Sequence, residues 1–317
     1  MEDSEAASFI ILAPVFNDWS CAEHFISAVG ANLGPDICRR VFLVDDGSTE
    51  RSLFTSGSGI LDVSVIRLRV NLGHQRAIAS GLALIAREYP GTSVIVMDGD
   101  GEDQPSAIAQ LITEHLANPN AIIVAQRRKR TEAVNFRFFY RIYLFLFRIL
   151  TGRDLDFGNF VLLPSAAVQR LVFMAELWNH FPATVMRSRL PIMKIPIDRG
   201  ARYDGRSKMN FTMLVNHGLA AIAAFIDAVF VRLMIATGFV LVFISAGALA
   251  VLAVRICGTW GVPGWATTFL GILLIGLLQV LGLLVVMTFL ALAQRSTPSP
   301  PPATFATRYV SSVEELK

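Results

Sequence analysis

The sequence predicts an α/β domain followed by two membrane-spanning helices, and three observations support this fold class. In the first 125 residues, short β-rich runs alternate with stretches long enough for helices, a pattern typical of a parallel α/β sheet. Two later stretches carry almost no charge and are each long enough to cross a bilayer. The chain of 317 residues is 53% hydrophobic and only 17% charged, which excludes intrinsic disorder and is unusual for a soluble domain.

The alternating pattern assigns five strands and three helices. Strands are expected at residues 8–15, 41–45, 63–68, 93–98 and 121–125. Helices are expected between them at residues 21–33, 75–88 and 105–117. Because ligands of such sheets bind beyond the carboxyl ends of the strands, functional side chains are expected where these runs end.

The apolar stretches predict a transmembrane hairpin over residues 233–294. Residues 233–254 and 256–294 are both without charge, and spans near 233–254 and 266–292 fit a bilayer core of about 20 helical residues. Basic residues are concentrated before the first span, and Arg295 follows the second. The positive-inside rule therefore places the N-terminal domain and the tail in the cytoplasm.

Three further segments complete the predicted organisation around a catalytic domain of residues 1–208. Residues 135–150 are aromatic and aliphatic with three arginines at helical spacing, which predicts an amphipathic helix in the membrane interface or, alternatively, a buried amphipathic helix. Residues 209–232 are expected to form a juxtamembrane amphipathic helix. Residues 295–317, with their proline cluster, are expected to be a flexible cytosolic tail.

Charge is distributed unevenly along the chain. Residues 1–120 contain 16 acidic and 7 basic side chains, whereas residues 121–232 contain 7 acidic and 17 basic ones. This separation suggests two different partners. The three cysteines are far apart and lack metal-ligand spacing, and the acidic N-terminus has no basic region of the kind that begins a signal peptide.

Acidic side chains follow three of the predicted strands. They occur in APVFND at residues 13–18, VDDGS at residues 44–48 and MDGDGED at residues 97–103. Carboxylates at one edge of a sheet repel each other unless a cation lies between them, and oxygen-only ligands favour Mg²⁺ or Mn²⁺. Asp98 and Asp100 could reach one such metal ion, although a single D-x-D pattern is more often an acidic turn.

These segments together resemble the inverting family 2 glycosyltransferases of the GT-A (Rossmann-like) fold. The resemblance also includes NLGHQRA at residues 71–77, GNFVLL at residues 158–163 and RYDGRSKM at residues 202–209. With two C-terminal spans, the pattern is similar to the polyprenyl-phosphate glycosyltransferases, a group that includes dolichol-phosphate mannose synthase and the bactoprenol glucosyltransferases. It covers about residues 8–294 and implies a location in the bacterial inner membrane.

The resemblance implies a nucleotide-sugar donor, with UDP favoured over GDP, and a divalent metal ion. Asp45 or Asp46 would hydrogen-bond the base or ribose. The donor site would also include three further residues, which are Pro14, Asp98 and Asn159. Asp98, Asp100 and Glu102 would hold Mg²⁺ or Mn²⁺ against the diphosphate. The catalytic set implied is Asp100, Arg202 and Lys208.

The acceptor implied is a polyprenyl phosphate such as undecaprenyl phosphate. A phosphate monoester is already anionic near neutral pH, so positioning and charge neutralisation should matter more than a general base. Arginine binds two phosphate oxygens at once, and the acceptor residues implied are Arg127, Arg137, Arg202 and Ser207. His74 is expected to be structural or a neighbour of the donor pocket. Asp103 is expected to cap the following helix or, alternatively, to support the metal ligands from behind.

Other functions remain open at this stage. A processive polysaccharide synthase of the same superfamily usually has a Q-x-x-R-W motif and more spans, and neither feature occurs here. A non-catalytic nucleotide-binding membrane protein would be expected to lose the metal ligands or the basic loop. A nucleic-acid binder is disfavoured by the acidic strand ends and the apolar spans. The resemblance also implies a homo-oligomer, with a tetramer as one form, but it does not identify the sugar.

Overall fold

The computed structural model describes residues 9–33, 37–50, 61–127, 134–204, 211–258, 264–296 and 299–316. The chain divides into two compact units. The first comprises Met1–Leu144, Asp154–Ala224 and Pro300–Lys317, and the second comprises Phe145–Arg153 and Phe225–Ser299.

The α/β pattern predicted from the sequence is confirmed in the first unit. Its strands are β1 (Phe9–Val15), β2 (Cys38–Asp45), β3 (Val63–Leu68), β4 (Ser93–Val96), β5 (Ile122–Arg127), β6 (Phe157–Leu163), β7 (Ile192–Ile197) and β8 (Val310–Leu316). Helices of the chain up to residue 223 are α1 (Trp19–Asn32), α2 (His74–Glu88), α3 (Ile108–Ala117), α4 (Val134–Thr151), α5 (Ser165–Leu171), α6 (Phe181–Arg187) and α7 (Phe211–Ala223). Helix α4 begins in the first unit and ends in the second.

The strands form one mixed sheet in the order β7-β5-β6-β4-β1-β2-β3-β8. The central strands β4, β1, β2 and β3 run parallel to one another. Strand β6 is antiparallel to both β4 and β5, and β8 is antiparallel to β3. The carboxyl ends of β1, β2 and β4 therefore lie side by side at one edge of the sheet.

Both faces of the sheet are covered by helices. On one face, α2 packs against β1 and β2 and buries Ile78, Leu82 and Ile85 completely. On the other face, Phe25 of α1 and Leu111 of α3 are fully buried in a second apolar cluster. Because both faces are covered, the central strands read as nearly continuous apolar runs, as parallel strands do.

The C-terminal residues differ from the flexible tail expected from the sequence. They form helix α10 (Pro302–Phe305), a 3₁₀ turn at Ala306–Tyr309 and strand β8, which pairs with β3 along its length. Ala306 is fully buried, and the Trp178 indole Nε1 donates to the Pro300 carbonyl at 2.9 Å. The expectation of flexibility was therefore wrong for residues 302–316, because β8 supplies hydrogen-bond partners to a strand that would otherwise be an open edge.

The second unit contains two long apolar helices, α8 (Ile226–Cys257) and α9 (Trp265–Ser296), which pack against each other. Both are long and apolar enough to cross a membrane. Helix α8 begins at residue 226, so the predicted juxtamembrane helix of residues 209–232 is divided between α7 and α8. The end of α4 packs here as well, since the Phe147 ring meets that of Phe225 edge-on at 5.9 Å.

Candidate functional site

The carboxyl ends of β1, β2 and β4 gather five carboxylates, which we call the acidic edge. They are Asp18, Asp45, Asp46, Asp98 and Asp100. The topology explains this arrangement, because the three strands are neighbours and parallel, and each is followed by a loop carrying acidic residues. The sequence-based expectation that chemistry lies at these strand ends is consistent with this geometry.

Asp46 joins two loops of the acidic edge. Its two carboxylate oxygens accept the backbone N–H groups of Leu72 and Gly73 at 2.7 and 2.9 Å. Gly47, the next residue, has φ +71°, and a Cβ there would lie 2.6 Å from the backbone nitrogen of Asn71. Burial raises the pKa of the Asp46 carboxyl to about 6, while the two N–H groups partly oppose that shift.

Asp45 is held by contacts that the sequence did not predict. Its Oδ1 accepts the Ser48 N–H at 2.9 Å, and its Oδ2 accepts from Nη1 of Arg67 at 2.8 Å. The Asp45 side chain is only 4% exposed. Arg67 lies near the end of β3 outside any of the recognisable segments, so no sequence signal identified it.

The loop after β1 is fastened to the loop after β2. Oδ1 of Asn17 accepts the N–H groups of Thr49 and Glu50 at 2.9 and 3.2 Å. Asn17 itself has φ +48°, a backbone conformation that asparagine tolerates better than most residues. Pro14, predicted to bind the donor, lies in β1 opposite Val44 and is partly buried.

Residues 98–103, the DGDGED segment after β4, form a loop closed by hydrogen bonds between its own residues. Oδ2 of Asp103 accepts the backbone N–H of Asp98 at 3.0 Å, and Oδ1 of Asp100 accepts that of Glu102 at 3.0 Å. Asp103 therefore closes this loop, and Gln104 occupies the N-cap position of the 3₁₀ turn that follows. Asp103 does not cap the helix as the sequence had suggested, because its carboxylate is turned back towards β4.

Residues 198–204 follow β7 and lie against residues 98–103, and we call them the 198–204 loop. Arg202 donates from Nη1 to Oδ2 of Asp100 at 2.8 Å and from Nη2 to Asp18. Tyr203 places its ring against Gly101, where a Cβ would lie 2.8 Å from the ring, and its N–H donates to the Asp100 carbonyl at 2.9 Å. The predicted catalytic pair Asp100 and Arg202 is thus in direct contact.

Glu102, the third predicted metal ligand, pairs with an arginine beside Asp100. Its carboxylate pairs with Arg199 of the 198–204 loop, and its backbone carbonyl accepts the Gly200 N–H at 2.9 Å. Within the described residues there is no group of three His, Cys, Asp or Glu side chains that could hold a metal ion. Glu102, like Asp100, thus has an arginine partner in this structure, and its place in the three-carboxylate set stays a prediction.

Asp98 and Asp100 remain neighbours. Burial and the charge of Asp98 together raise the pKa of the Asp100 carboxyl to about 6, although Arg202 lowers it. This shift is the consequence of bringing two carboxylates together in a half-buried site. It is also an environment in which a divalent cation would relieve repulsion.

Asn159, predicted to line the donor site, reaches Asp98 from β6. Its Nδ2 donates to Oδ1 of Asp98 at 3.0 Å, and its Oδ1 accepts from Nε2 of Gln75 at 3.1 Å. Gln75 is 6% exposed and Asn159 is 7% exposed. Gln75 stands in the NLGHQRA segment that carried the resemblance, but the sequence assigned it no role.

Three histidines, His74, His180 and His217, form a cluster, in which His74 precedes Gln75 in the sequence and His180 lies at the N-terminus of α6. The Nε2 atoms of His180 and His217 are 3.1 Å apart, and the rings of His74 and His217 are separated by 5.3 Å between centroids. Burial lowers the pKa of all three imidazoles, that of His217 to about 4. His74 thus lies in a cluster of neutral rings, as expected for a structural residue or a neighbour of the donor pocket.

The remaining predicted residues cannot be positioned as side chains. Lys208 and Ser207 lie outside the described residues. Arg127 is the last residue of β5 and Arg137 lies in the first turn of α4, and only their backbones belong to the described part of the chain. Of the predicted acceptor set, the structure brings Arg202 alone to the acidic edge by a described side-chain contact.

Comparison with known proteins places this geometry among glycosyltransferases. An uncharacterized glycosyltransferase of Synechocystis is 22% identical over 289 residues, which cover 88% of this chain and 89% of that protein. A dodecaprenyl-phosphate galacturonate synthase of Rhizobium johnstonii is 25% identical over 186 residues, covering 55% and 53% of the two chains.

Among solved structures, glucosyl-3-phosphoglycerate synthase of Mycobacterium tuberculosis, determined with Mn²⁺ and UDP-glucose, has the same fold. It matches with a TM-score of 0.53 and 15% identity, over 71% of this chain and 81% of that one. The predicted GT-A fold is therefore confirmed. The model of the family described as "Glycosyl transferase family 2" matches residues 10–178, which is more than half of the chain. The protein therefore belongs to glycosyl transferase family 2.

Proposed function

We propose that this glycosyltransferase moves a sugar from a nucleoside-diphosphate donor, a UDP-sugar, to a polyprenyl phosphate, with inversion at the anomeric carbon. The observation that carries the proposal is the contact of Arg202 with both Asp18 and Asp100. It joins an arginine suited to phosphate with the carboxylates suited to a metal ion at one edge of the sheet.

The donor site proposed is the acidic edge. The Mycobacterium tuberculosis enzyme of the same fold was solved with Mn²⁺ and UDP-glucose, which supports a nucleotide-sugar donor here. Asp45 ends β2 and Asp46 follows it, and one or the other would hydrogen-bond the base or ribose. Pro14 of β1, which borders β2, Asn159 of β6, which borders β4, and Asp98 after β4 complete the proposed lining.

Two carboxylates of the acidic edge fit Mg²⁺ or Mn²⁺. Such an ion is commonly bound through one or two protein carboxylates, with substrate phosphates and water as the other ligands. Asp98 and Asp100 meet that requirement. Burial and then the charge of Asp98 raise the pKa of the Asp100 carboxyl, and a cation would relieve the repulsion between the two carboxylates. When bound, the ion would neutralise charge on the departing nucleoside diphosphate.

The transfer itself would need positioning more than proton removal. An anionic phosphate oxygen of the acceptor would bond to the anomeric carbon as the bond from that carbon to the donor diphosphate breaks, releasing the nucleoside diphosphate. Arg202 would exchange its contacts with Asp18 and Asp100 for phosphate oxygens. The other basic and hydroxyl groups proposed for this task are Arg127, Arg137, Ser207 and Lys208.

A lipid acceptor is supported by the second unit and by one relative. Helices α8 and α9 are long and apolar enough to cross a membrane, and Phe145, Leu146 and Ile149 of α4 are each at least 47% exposed. The Rhizobium relative is named as a dodecaprenyl-phosphate sugar synthase. We further propose a multi-pass protein of the bacterial inner membrane with a cytosolic catalytic unit that forms a homo-oligomer.

A transfer assay tests this function. Purified full-length protein in detergent would receive undecaprenyl phosphate, Mn²⁺ or Mg²⁺, and each of several labelled UDP- and GDP-sugars. We expect one UDP-sugar to give a metal-dependent lipid product. Asp100→Ala should abolish the product, and Arg202→Ala should reduce turnover much more than metal binding. Absence of a product with every donor would contradict the proposal.

A further inference from the structure

Two buried side chains, Gln75 and Asn159, connect Asp98 to the N-terminus of α6. Oε1 of Gln75 accepts the backbone N–H of Phe181. Nε2 of Gln75 donates to Oδ1 of Asn159 at 3.1 Å, and Nδ2 of Asn159 donates to Oδ1 of Asp98 at 3.0 Å. Residues from α6, α2, β6 and the loop after β4 thus form one hydrogen-bonded chain.

The Phe181 N–H determines which atom of each amide side chain donates and which accepts. A backbone N–H can only donate, so the Gln75 atom facing Phe181 must be the carbonyl oxygen. The Gln75 amino group then faces Asn159, which must present its own oxygen. The Asn159 amino group is left to face Asp98, whose Oδ1 accepts its hydrogen bond.

The N-terminus of α6 is itself fixed. His180 is the N-cap of α6, and its Nδ1 accepts the Ala183 N–H at 3.1 Å. Because Nδ1 accepts, the proton of the neutral ring lies on Nε2, which is 3.1 Å from Nε2 of His217 on α7. The chain therefore starts from a helix end that two further contacts hold in place.

We infer that Gln75 is a positioning residue for the metal-binding carboxylate: it fixes the amide orientation of Asn159, which in turn holds the Asp98 carboxylate in the orientation that a divalent cation needs. This inference rests on the proposed function, in which Asp98 is a metal ligand. Hydrogen bonds to a ligand's carboxylate typically change metal affinity about 10- to 100-fold when they are removed.

The test compares Gln75→Met with Gln169→Met. Methionine has a similar length and removes both amide contacts of Gln75. Gln169 of α5 is also in the first unit, and its Nε2 donates to the Ala86 carbonyl at 2.8 Å, away from the acidic edge. Direct Mn²⁺ binding to the full-length protein with UDP present, measured by electron paramagnetic resonance, reports on the site without requiring turnover.

We expect Gln75→Met to raise the Kd for Mn²⁺ about tenfold and Gln169→Met to leave it unchanged, even if both lower the thermal unfolding midpoint. In an Asn159→Leu background, Gln75→Met should produce no further loss of Mn²⁺ affinity, because Gln75 acts through Asn159. If Gln75→Met does not fold, Gln75→Asn, which is too short to bridge the gap, serves in its place.

The outcomes separate this inference from the proposed function. If wild type binds Mn²⁺ with UDP and Gln75→Met binds it equally well, the positioning role is wrong while the metal site stands. Full additivity of Gln75→Met and Asn159→Leu would also overturn it. If wild type binds no Mn²⁺ under any of these conditions, the proposed function fails first, and the inference fails with it.

Discussion

Arg67 of β3 links Asp45 of the acidic edge to Glu314 of the C-terminal strand β8. Its Nη1 donates to Asp45 at 2.8 Å and its Nε donates to Glu314 at 2.9 Å. The end of the chain, which follows both apolar helices in sequence, therefore contributes to the surroundings of a proposed donor-binding carboxylate. Two predictions follow from this arrangement.

Replacing Arg67 should destabilise the protein more than replacing Arg40. Arg67 and Arg40 form ion pairs with Glu314 and Glu315 of β8, and the two arginine side chains are 25% and 22% exposed. Arg67→Met removes the arginine partner of the Asp45 carboxylate, which is 4% exposed. Arg40→Met removes the arginine partner of Asp62 and Glu315, whose side chains are well exposed to water. We expect Arg67→Met to cost about 1–3 kcal/mol of unfolding free energy and Arg40→Met less than about 1 kcal/mol. Thermal unfolding of both variants checks this, and equal losses would contradict it.

Removing residues 300–317 should destabilise the first unit. The deletion exposes the edge of β3 and removes the buried Ala306 and the Tyr309 ring, which packs edge-on to Trp178 at 6.0 Å. We expect a lower unfolding midpoint and stronger aggregation, because an uncovered strand edge pairs with other chains. Size-exclusion chromatography and thermal unfolding measure both effects. A truncated protein as stable and monodisperse as the full chain would indicate that β8 contributes nothing to the fold.

Glu102→Gln should leave metal binding largely intact, in contrast to Asp100→Asn. The Glu102 carboxylate is neutralised by Arg199, whereas Asp100 lies beside the carboxylate of Asp98. We expect the Mn²⁺ concentration for half-maximal transfer to change less than about threefold in Glu102→Gln, whereas Asp100→Asn should lose transfer altogether, since it removes a charged ligand. If the two variants were equally impaired, Glu102 would belong to the metal site after all.

The buried histidines should make stability fall as the solution becomes acidic. Burial and the nearby His74 lower the pKa of His217 to about 4 from the usual 6.5. Between those values the unfolded chain binds a proton that the folded chain does not, so the free energy of unfolding falls as pH drops through that window, by up to about 3 kcal/mol. His217→Gln should flatten the pH dependence of the unfolding midpoint between pH 7 and 5. A variant at the exposed His24 of α1 is the control, and identical curves for wild type and His217→Gln would refute the assignment.

The sequence predicted the fold well where periodicity and strand ends carry the signal. The five strands expected in the first 125 residues all occur, with ends shifted by three residues or fewer. The two apolar helices occur as well, although α8 begins at residue 226. Strand β8 was missed, because the proline run before it suggested a flexible tail and the pairing with β3 is a long-range contact.

The site was predictable as far as residue types and chain order reveal it. Asp98, Asp100 and Arg202 are brought together, but their partners come from distant segments that no local pattern connects. Glu102 could not be separated from the metal ligands, since only tertiary structure brings Arg199 to it. Gln75 likewise stands in a recognisable segment, yet its contact with Asn159 joins positions 84 residues apart.

Transfer to a lipid phosphate is tested by comparing acceptors with one reactive UDP-sugar. Full-length protein would be given undecaprenyl phosphate, undecaprenol without the phosphate, or detergent alone, and the label would be followed into lipid and into free sugar. We expect acid-labile labelled lipid with undecaprenyl phosphate only, and none from Asp100→Ala. Equal release of label with all three additions, or labelling of the alcohol alone, would contradict transfer to a lipid phosphate.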